Sequence, residues 1–119
     1  MNTGTAEERE IDHEAAATAF VERVREGEVP GLERLYLFGS TPRNEASGID
    51  SDIDVLAAVS DGGAPGTVRE ELGDIAYGVM LEFGPVVEVH VVPIERFERR
   101  VEAGFPFERR VAAEGERVV

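Results

Sequence analysis

The apolar positions in the first half of the chain repeat at helical spacing and then at strand spacing. Over residues 12–26 they recur every three or four positions, which predicts an amphipathic helix that ends at Gly27. Residues 35–38 are apolar on both faces, which is typical of a central strand. Over residues 52–59 apolar residues alternate with others, which predicts a second strand with one buried face.

The pattern then returns to helical spacing and once more to strand spacing. Residues 68–83 carry an apolar stripe along one side of a predicted helix, and a Gly-Pro pair follows it. Residues 86–92 predict a third strand. Strand alternation separates three valines on one of its faces from Glu88 and His90 on the other.

The order of these elements indicates the fold class. A helix is predicted over residues 93–103 and a final helical segment over residues 107–113. The order helix, strand, strand, helix, strand, helix predicts an α/β or α+β fold, with a small mixed β-sheet flanked by helices. At 119 residues and 12.9 kDa, we expect a single domain over residues 1–119, with residues 1–10 disordered.

Charge narrows the choice of partners. The chain has 25 acidic residues against 12 basic ones, all of them arginine, and a net charge of −13. Such an excess of carboxylates suits a halophilic cytoplasm, where screening acts within about 3 Å at 1 M salt; a GC-rich genome that encodes Arg in place of Lys explains the composition equally well. In both cases no basic stripe is available for the phosphates of a long duplex, which argues against duplex nucleic acid as a partner.

Cysteine content and hydropathy indicate the compartment. The chain has no cysteine, which excludes disulfides and thiolate metal sites. Its apolar runs are far shorter than the roughly 20 residues that a membrane span needs, and residues 1–10 are too polar and acidic for a signal peptide. We therefore expect a cytoplasmic protein that does not bind a membrane.

Two carboxylates stand at the start of the second predicted strand. Asp52 and Asp54 are two positions apart, so they share a face and lie about 6.5 Å apart along the strand. Two neighbouring anions repel each other, and a divalent cation such as Mg²⁺ would relieve that repulsion. The alternative is a pair of solvated carboxylates at a strand end, with no ligand.

A Gly-Ser pair follows the first predicted strand. Gly39 allows a phosphate to approach the backbone closely, and the Ser40 hydroxyl and nearby N–H groups can bind an anion. Arg43 is near enough in sequence to contact the same anion with two N–H groups. An ordinary turn followed by a surface arginine is the alternative interpretation.

Glu88 is an acid within a run of valines. If the second and third strands are neighbours, its face can be the one that bears Asp52 and Asp54, which would complete a group of three carboxylates. Such a group can hold two cations about 3.5–4 Å apart, as in-line nucleotidyl displacement requires. The alternative is an acid on the solvent face of an edge strand. We interpret His90, on the same face, as a rim residue and not as a catalytic base.

Together these motifs resemble the polymerase-beta-type nucleotidyltransferase superfamily. The residues that carry the resemblance are Gly39-Ser40, Arg43, Asp52-Ile53-Asp54-Val55-Leu56 and Glu88. The small size and the order of elements are similar to its minimal nucleotidyltransferase (MNT) branch, which occurs in HEPN–MNT toxin–antitoxin pairs. Glu88 stands where Asp is more usual in this superfamily.

The resemblance implies a role for each candidate residue. Gly39, Ser40, Arg43 and Ser51 would bind the nucleoside triphosphate. Three carboxylates would be both metal ligands and catalytic residues, with two Mg²⁺ ions expected, namely Asp52, Asp54 and Glu88. In addition, Glu88 would help to deprotonate the attacking hydroxyl group.

The resemblance also implies an activity and a partner. The reaction would be Mg²⁺-dependent transfer of AMP from ATP to a hydroxyl acceptor (AMPylation), with pyrophosphate as the leaving group. The acceptor would be a tyrosine of a HEPN-type toxin, which makes the chain an MNT-type antitoxin. The alternatives are a nucleotidyltransferase that acts on a small molecule or an RNA end, and a non-catalytic interaction module that binds a partner toxin.

Overall fold

The computed structural model describes residues 12–38 and 53–119, which form four helices and a four-stranded sheet. The helices are α1 (His13–Gly27), α2 (Pro65–Phe83), α3 (Ile94–Ala103) and α4 (Pro106–Glu114). The strands are β1 (Leu32–Phe38), β2 (Ile53–Val59), β3 (Val87–Pro93) and β4 (Glu116–Arg117). The predicted disorder of residues 1–10 concerns a segment outside the described residues.

The sheet is mixed, and its strands follow the order β3-β2-β1-β4. β2 and β3 are parallel, whereas β1 is antiparallel to both β2 and β4. A parallel pair needs a long crossover, and α2 provides it between β2 and β3. The predicted fold class, a small mixed sheet flanked by helices, is therefore confirmed in the described part of the chain.

Helices α1 and α2 cover one face of the sheet with aliphatic side chains and the phenyl rings of Phe20 and Phe83. The apolar stripe of α1 is buried as predicted, and Phe20 has no solvent exposure. The inward face of β2 alternates in the predicted way, so its side chains pack against those of the two helices. The residues of this core with the least solvent exposure include Ala16, Phe20, Leu35, Ile53, Val55, Ala57, Val68, Leu72 and Val79.

Helices α3 and α4 cover part of the opposite face with a smaller core. Tyr36 of β1, Leu56 of β2, Phe97 of α3 and Val111 of α4 form this cluster. The rings of Tyr36 and Phe97 have centroids 5.4 Å apart. The two helices have ten and nine residues, so this layer is much shorter than the layer formed by α1 and α2.

Several element boundaries differ from those predicted. β1 begins at Leu32 and not at Leu35, because Glu33 and Arg34 continue the strand despite their charge. α2 begins at Pro65, since proline lacks the N–H that a first helical turn leaves unbonded anyway. β4 was not predicted, because two charged residues carry no strand pattern of their own.

The ends of α1 show which local interactions define a helix. The Asp12 carboxylate accepts a hydrogen bond of 3.0 Å from the backbone N–H of Ala15, which satisfies a donor of the first turn. Gly27 is the last helical residue as predicted, but the left-handed cap is Glu28, with a φ of 48°. None of the described helices combines the length and the apolar character that crossing a bilayer requires.

Candidate functional site

The pairing of β2 with β3 brings two acidic residues side by side. In the parallel register Asp54 lies opposite Glu88, and Leu56 lies opposite His90. Because side chains alternate along each strand, Asp54, Glu88 and His90 all point to one face of the sheet. This is the face of the smaller core, since Leu56 belongs to that core.

The three side chains approach closely enough to share one cation. One potential ligand atom from each of Asp54, Glu88 and His90 lies within 4.8 Å of the others. His90 Nε2 and Asp54 Oδ1 are 3.9 Å apart. Two ligands of one ion, each about 2.0–2.6 Å from it, lie at most about 5 Å apart. The donors therefore fit a single divalent cation without moving the strands.

The group opens to solvent. The side chain of Asp54 is 29% exposed and that of His90 is 40% exposed, while Glu88 is an exposed residue. A ligand can therefore reach all three from outside. Two carboxylates this close in a chain with a net charge of −13 repel each other, and a bound cation would remove most of that repulsion.

Two phenyl rings lie beside the imidazole of His90. The centroid of this imidazole lies 6.0 Å from that of Phe38 in β1 and 5.5 Å from that of Phe107 in α4. The two phenyl rings also contact each other edge to face, with centroids 5.6 Å apart. The rings therefore limit the orientations that the imidazole of His90 can take, while Phe107 stays 41% exposed.

Sequence reasoning placed His90 on the correct face but missed its proximity to Asp54. Alternation along β3 puts Glu88 and His90 on one face, which is a local property of any strand. The contact with Asp54 depends on the register between β2 and β3, which no short-range pattern reports. A histidine two positions from a candidate acid was the available signal.

Five of the predicted site residues lie outside the described residues: Gly39, Ser40, Arg43, Ser51 and Asp52. Their roles stay predictions. The described chain stops at Phe38 and resumes at Ile53, and Phe38 is the register partner of Asp54. Phe38 and Ile53 therefore lie at the end of the sheet that holds Asp54 and Glu88.

The other end of β1 carries a cation with a structural role. Arg34 donates one hydrogen bond to the hydroxyl of Tyr36 at 3.3 Å and another to the carboxylate of Glu98 at 3.2 Å. The hydrogen bond to Tyr36 raises the pKa of Arg34 above its ordinary value. These contacts tie β1 to α3, so Arg34 is already engaged away from the carboxylate group.

Comparison with known proteins identifies one family. The family model described as a nucleotidyltransferase domain matches residues 18–118. The matched range starts within α1 and extends past β4, so it includes Asp54, Glu88 and every described strand. Neither a curated protein nor a solved structure shows significant similarity to the chain.

Proposed function

The chain belongs to the nucleotidyltransferase domain family, and we propose that it transfers AMP from ATP to a hydroxyl group of a partner protein. Membership of this family makes it a transferase whose substrate is a nucleoside triphosphate. The acceptor that we propose is a tyrosine of a HEPN-type toxin, so that the chain acts as an MNT-type antitoxin. The cation that we propose is Mg²⁺, with two ions present during transfer.

One observation carries this proposal. Acids from two separate strands, Asp54 on β2 and Glu88 on β3, lie opposite each other on one sheet face. A core residue in these positions would be apolar. The neighbouring pairs along the strands are apolar, namely Ile53 with Val87 and Val55 with Val89. Two neighbouring acids on a pair of strands that is otherwise apolar except for His90 are a local inconsistency that is typical of a functional site.

The two acids have different tasks in the proposed reaction. Asp54 would hold the cation together with Glu88, and Asp52 would be a further ligand. When bound, the cation neutralises charge on the triphosphate and lowers the pKa of a coordinated hydroxyl group. Glu88 is the more exposed of the two described acids, so it is the one that we assign to accept the proton of the acceptor.

The proposed transfer is a single displacement at the α-phosphorus of ATP. The acceptor oxygen forms a bond to that phosphorus, the bond to the bridging oxygen of the β-phosphate breaks, and pyrophosphate leaves. The proton of the hydroxyl passes to Glu88. Gly39, Ser40, Ser51 and Arg43 would bind the triphosphate, which is supported by the position of Phe38, the residue before Gly39, opposite Asp54.

Charge supports a protein acceptor over a nucleic acid. The chain has a net charge of −13 and no lysine, so a polyanionic acceptor would be repelled over most of the surface. A triphosphate is a smaller anion, and a bound cation can reverse the local sign of the field for it.

We propose that residues 1–119 form one catalytic domain.

Label transfer tests the proposal. The protein is incubated with Mg²⁺, ATP labelled at the α-phosphate, and the product of the neighbouring gene. We expect label on a tyrosine of that product, located by mass spectrometry. Asp54→Asn should abolish labelling without loss of folding, whereas Asp74→Asn should not change it, because Asp74 is an exposed acid on α2, away from the carboxylate group.

The same assay separates the alternatives. If the partner binds but receives no label from the unaltered protein, the chain is an interaction module and the catalytic proposal is wrong. If a small hydroxylated amine or an RNA end added to the assay takes the label instead, the transfer activity stands and the protein acceptor is wrong.

A further inference from the structure

The imidazole of His90 has no task in the transfer just described, yet it lies within the carboxylate group. Its Nε2 is 3.9 Å from Asp54 Oδ1, and Glu88 offers an oxygen within 4.8 Å of both. Only a small change in these side chains would be needed for one ion to contact all three. A nitrogen donor in this place changes which cation the site prefers.

The orientation of the ring is an observation independent of these distances. Phe38 and Phe107 come from a strand and a helix that are far apart in sequence, and both pack against the imidazole. Contacts with two rings that also pack against each other reduce the freedom of the imidazole, so less conformational entropy is lost when a ligand binds. A histidine held in this way is preorganised to present Nε2 beside the carboxylates.

The chemistry of the donors then distinguishes among metals. Mg²⁺ prefers oxygen ligands and retains several waters, so an imidazole adds little to its affinity. First-row transition-metal ions accept both carboxylate oxygen and imidazole nitrogen, with an affinity that is lowest for Mn²⁺ and rises along the series. Two carboxylates with one imidazole form a mixed set that suits this second class.

We propose that His90 is a nitrogen ligand of the cation held by Asp54 and Glu88, and that the site therefore binds a first-row transition-metal ion, with Mn²⁺ as the probe, more tightly than Mg²⁺. This inference rests on the cation site of the proposed function, and it adds a ligand and a metal preference to that site. Phe38 and Phe107 are positioning residues, because they act on the metal through the imidazole.

Pulsed electron paramagnetic resonance of Mn²⁺ bound to the full chain tests the nitrogen ligand directly. We expect modulation from a coordinated ¹⁴N nucleus in the unaltered protein, replaced by that of ¹⁵N when only its histidines carry ¹⁵N. The chain has two histidines, so the other is a matched control. His90→Gln should remove the nitrogen signal, and His13→Gln should leave it.

Affinity gives the second measurement. Titration without nucleotide should show tighter binding of Mn²⁺ than of Mg²⁺, and His90→Gln should weaken Mn²⁺ binding by at least about tenfold with little effect on Mg²⁺. Phe107→Leu should retain the nitrogen signal and weaken Mn²⁺ binding by a smaller factor, since the ring would be held less firmly. Circular dichroism verifies that each variant is folded.

Two results would overturn the inference: Mn²⁺ that binds without any histidine nitrogen signal, or a signal that survives His90→Gln and is lost in His13→Gln. Either would leave His90 with a packing role only. Neither measurement uses ATP or an acceptor. A nitrogen signal without label transfer would therefore contradict the proposed function alone, and label transfer without the signal would contradict this inference alone.

Discussion

The face of the sheet under α1 and α2 is closed by aliphatic side chains, whereas the face under α3 and α4 ends in an exposed group of carboxylates and aromatic rings. On the first face the long helices α1 and α2 bury the inward residues of β2 almost completely and those of β1 and β3 in part. On the second face the short helices α3 and α4 bury a four-residue core and leave Asp54 and Glu88 accessible.

This difference indicates how a small sheet can support both stability and the proposed reactive site. Burial of apolar surface is the main favourable contribution to folding, and most of it belongs to the first face. Two acids that repel each other can then be tolerated on the second face, because the strands that carry them are fixed from behind. If the two faces are independent, substitutions on the first should change stability, and substitutions of the acids on the second should change activity.

The largest expected effect is on the first face, where Phe20 is fully buried. Phe20→Ala should lower the free energy of unfolding by about 3–5 kcal/mol, because it removes a phenyl ring from a packed core and leaves a cavity. Urea unfolding monitored by circular dichroism measures this cost. A loss below about 1 kcal/mol would mean that α1 contributes little to the core.

Glu88→Gln should perturb only the second face. Loss of a proton acceptor costs about a hundredfold or more in turnover, or about 2.7 kcal/mol of barrier, with ATP binding retained. The free energy of unfolding should not fall, since one anion of a repelling pair becomes neutral. Glu70→Gln on α2 is the matched control, because Glu70 is an exposed acid outside the carboxylate group. An unchanged turnover in Glu88→Gln would mean that Glu88 is only a solvent-exposed strand residue.

An ion pair with a buried carboxylate and a partly exposed guanidinium joins the two helices of the second face. The carboxylate of Glu108 in α4 is buried and accepts a 3.3 Å hydrogen bond from Arg100 of α3, whose guanidinium also lies 5.3 Å from the centroid of the Phe105 ring. Arg100→Ala should cost about 1–3 kcal/mol in unfolding free energy, because a buried carboxylate loses its partner. Thermal unfolding checks this, and Arg100→Ala combined with Glu108→Gln should recover part of the loss.

The smallest effect is expected for the exposed ion pair of the first face. Arg23 of α1 and Glu82 of α2 lie 2.7 Å apart, and here the carboxylate side chain is 58% exposed, whereas that of Glu108 is 9% exposed. Arg23→Met should change the unfolding free energy by about 0.2–1 kcal/mol, and less at high salt, where screening weakens the pair. Urea unfolding curves at several salt concentrations compare Arg23→Met with Arg100→Ala. Equal losses of unfolding free energy in the two variants would mean that burial of the carboxylate does not distinguish the two pairs.

Local patterns were sufficient to predict the type of nearly every long element. Helical periodicity predicted α1 and α2, and strand alternation placed Glu88 on the face opposite three valines of β3, namely Val87, Val89 and Val91. These properties depend on backbone geometry and on which side chains avoid water, so neighbouring residues are enough to determine them. The Asp-x-Asp and Gly-Ser motifs are also short-range features that are read directly from the sequence. The family match agrees with the resemblance that they carry.

Only the tertiary structure decided which of these residues meet. The register of β2 on β3 puts Asp54 beside Glu88 and His90, and the position of α4 brings Phe107 against the imidazole. The same long-range packing buries Glu108 and adds β4 to the edge of the sheet. Register and helix placement result from hydrogen bonds and burial between segments distant in sequence, so no short window of the chain contains them.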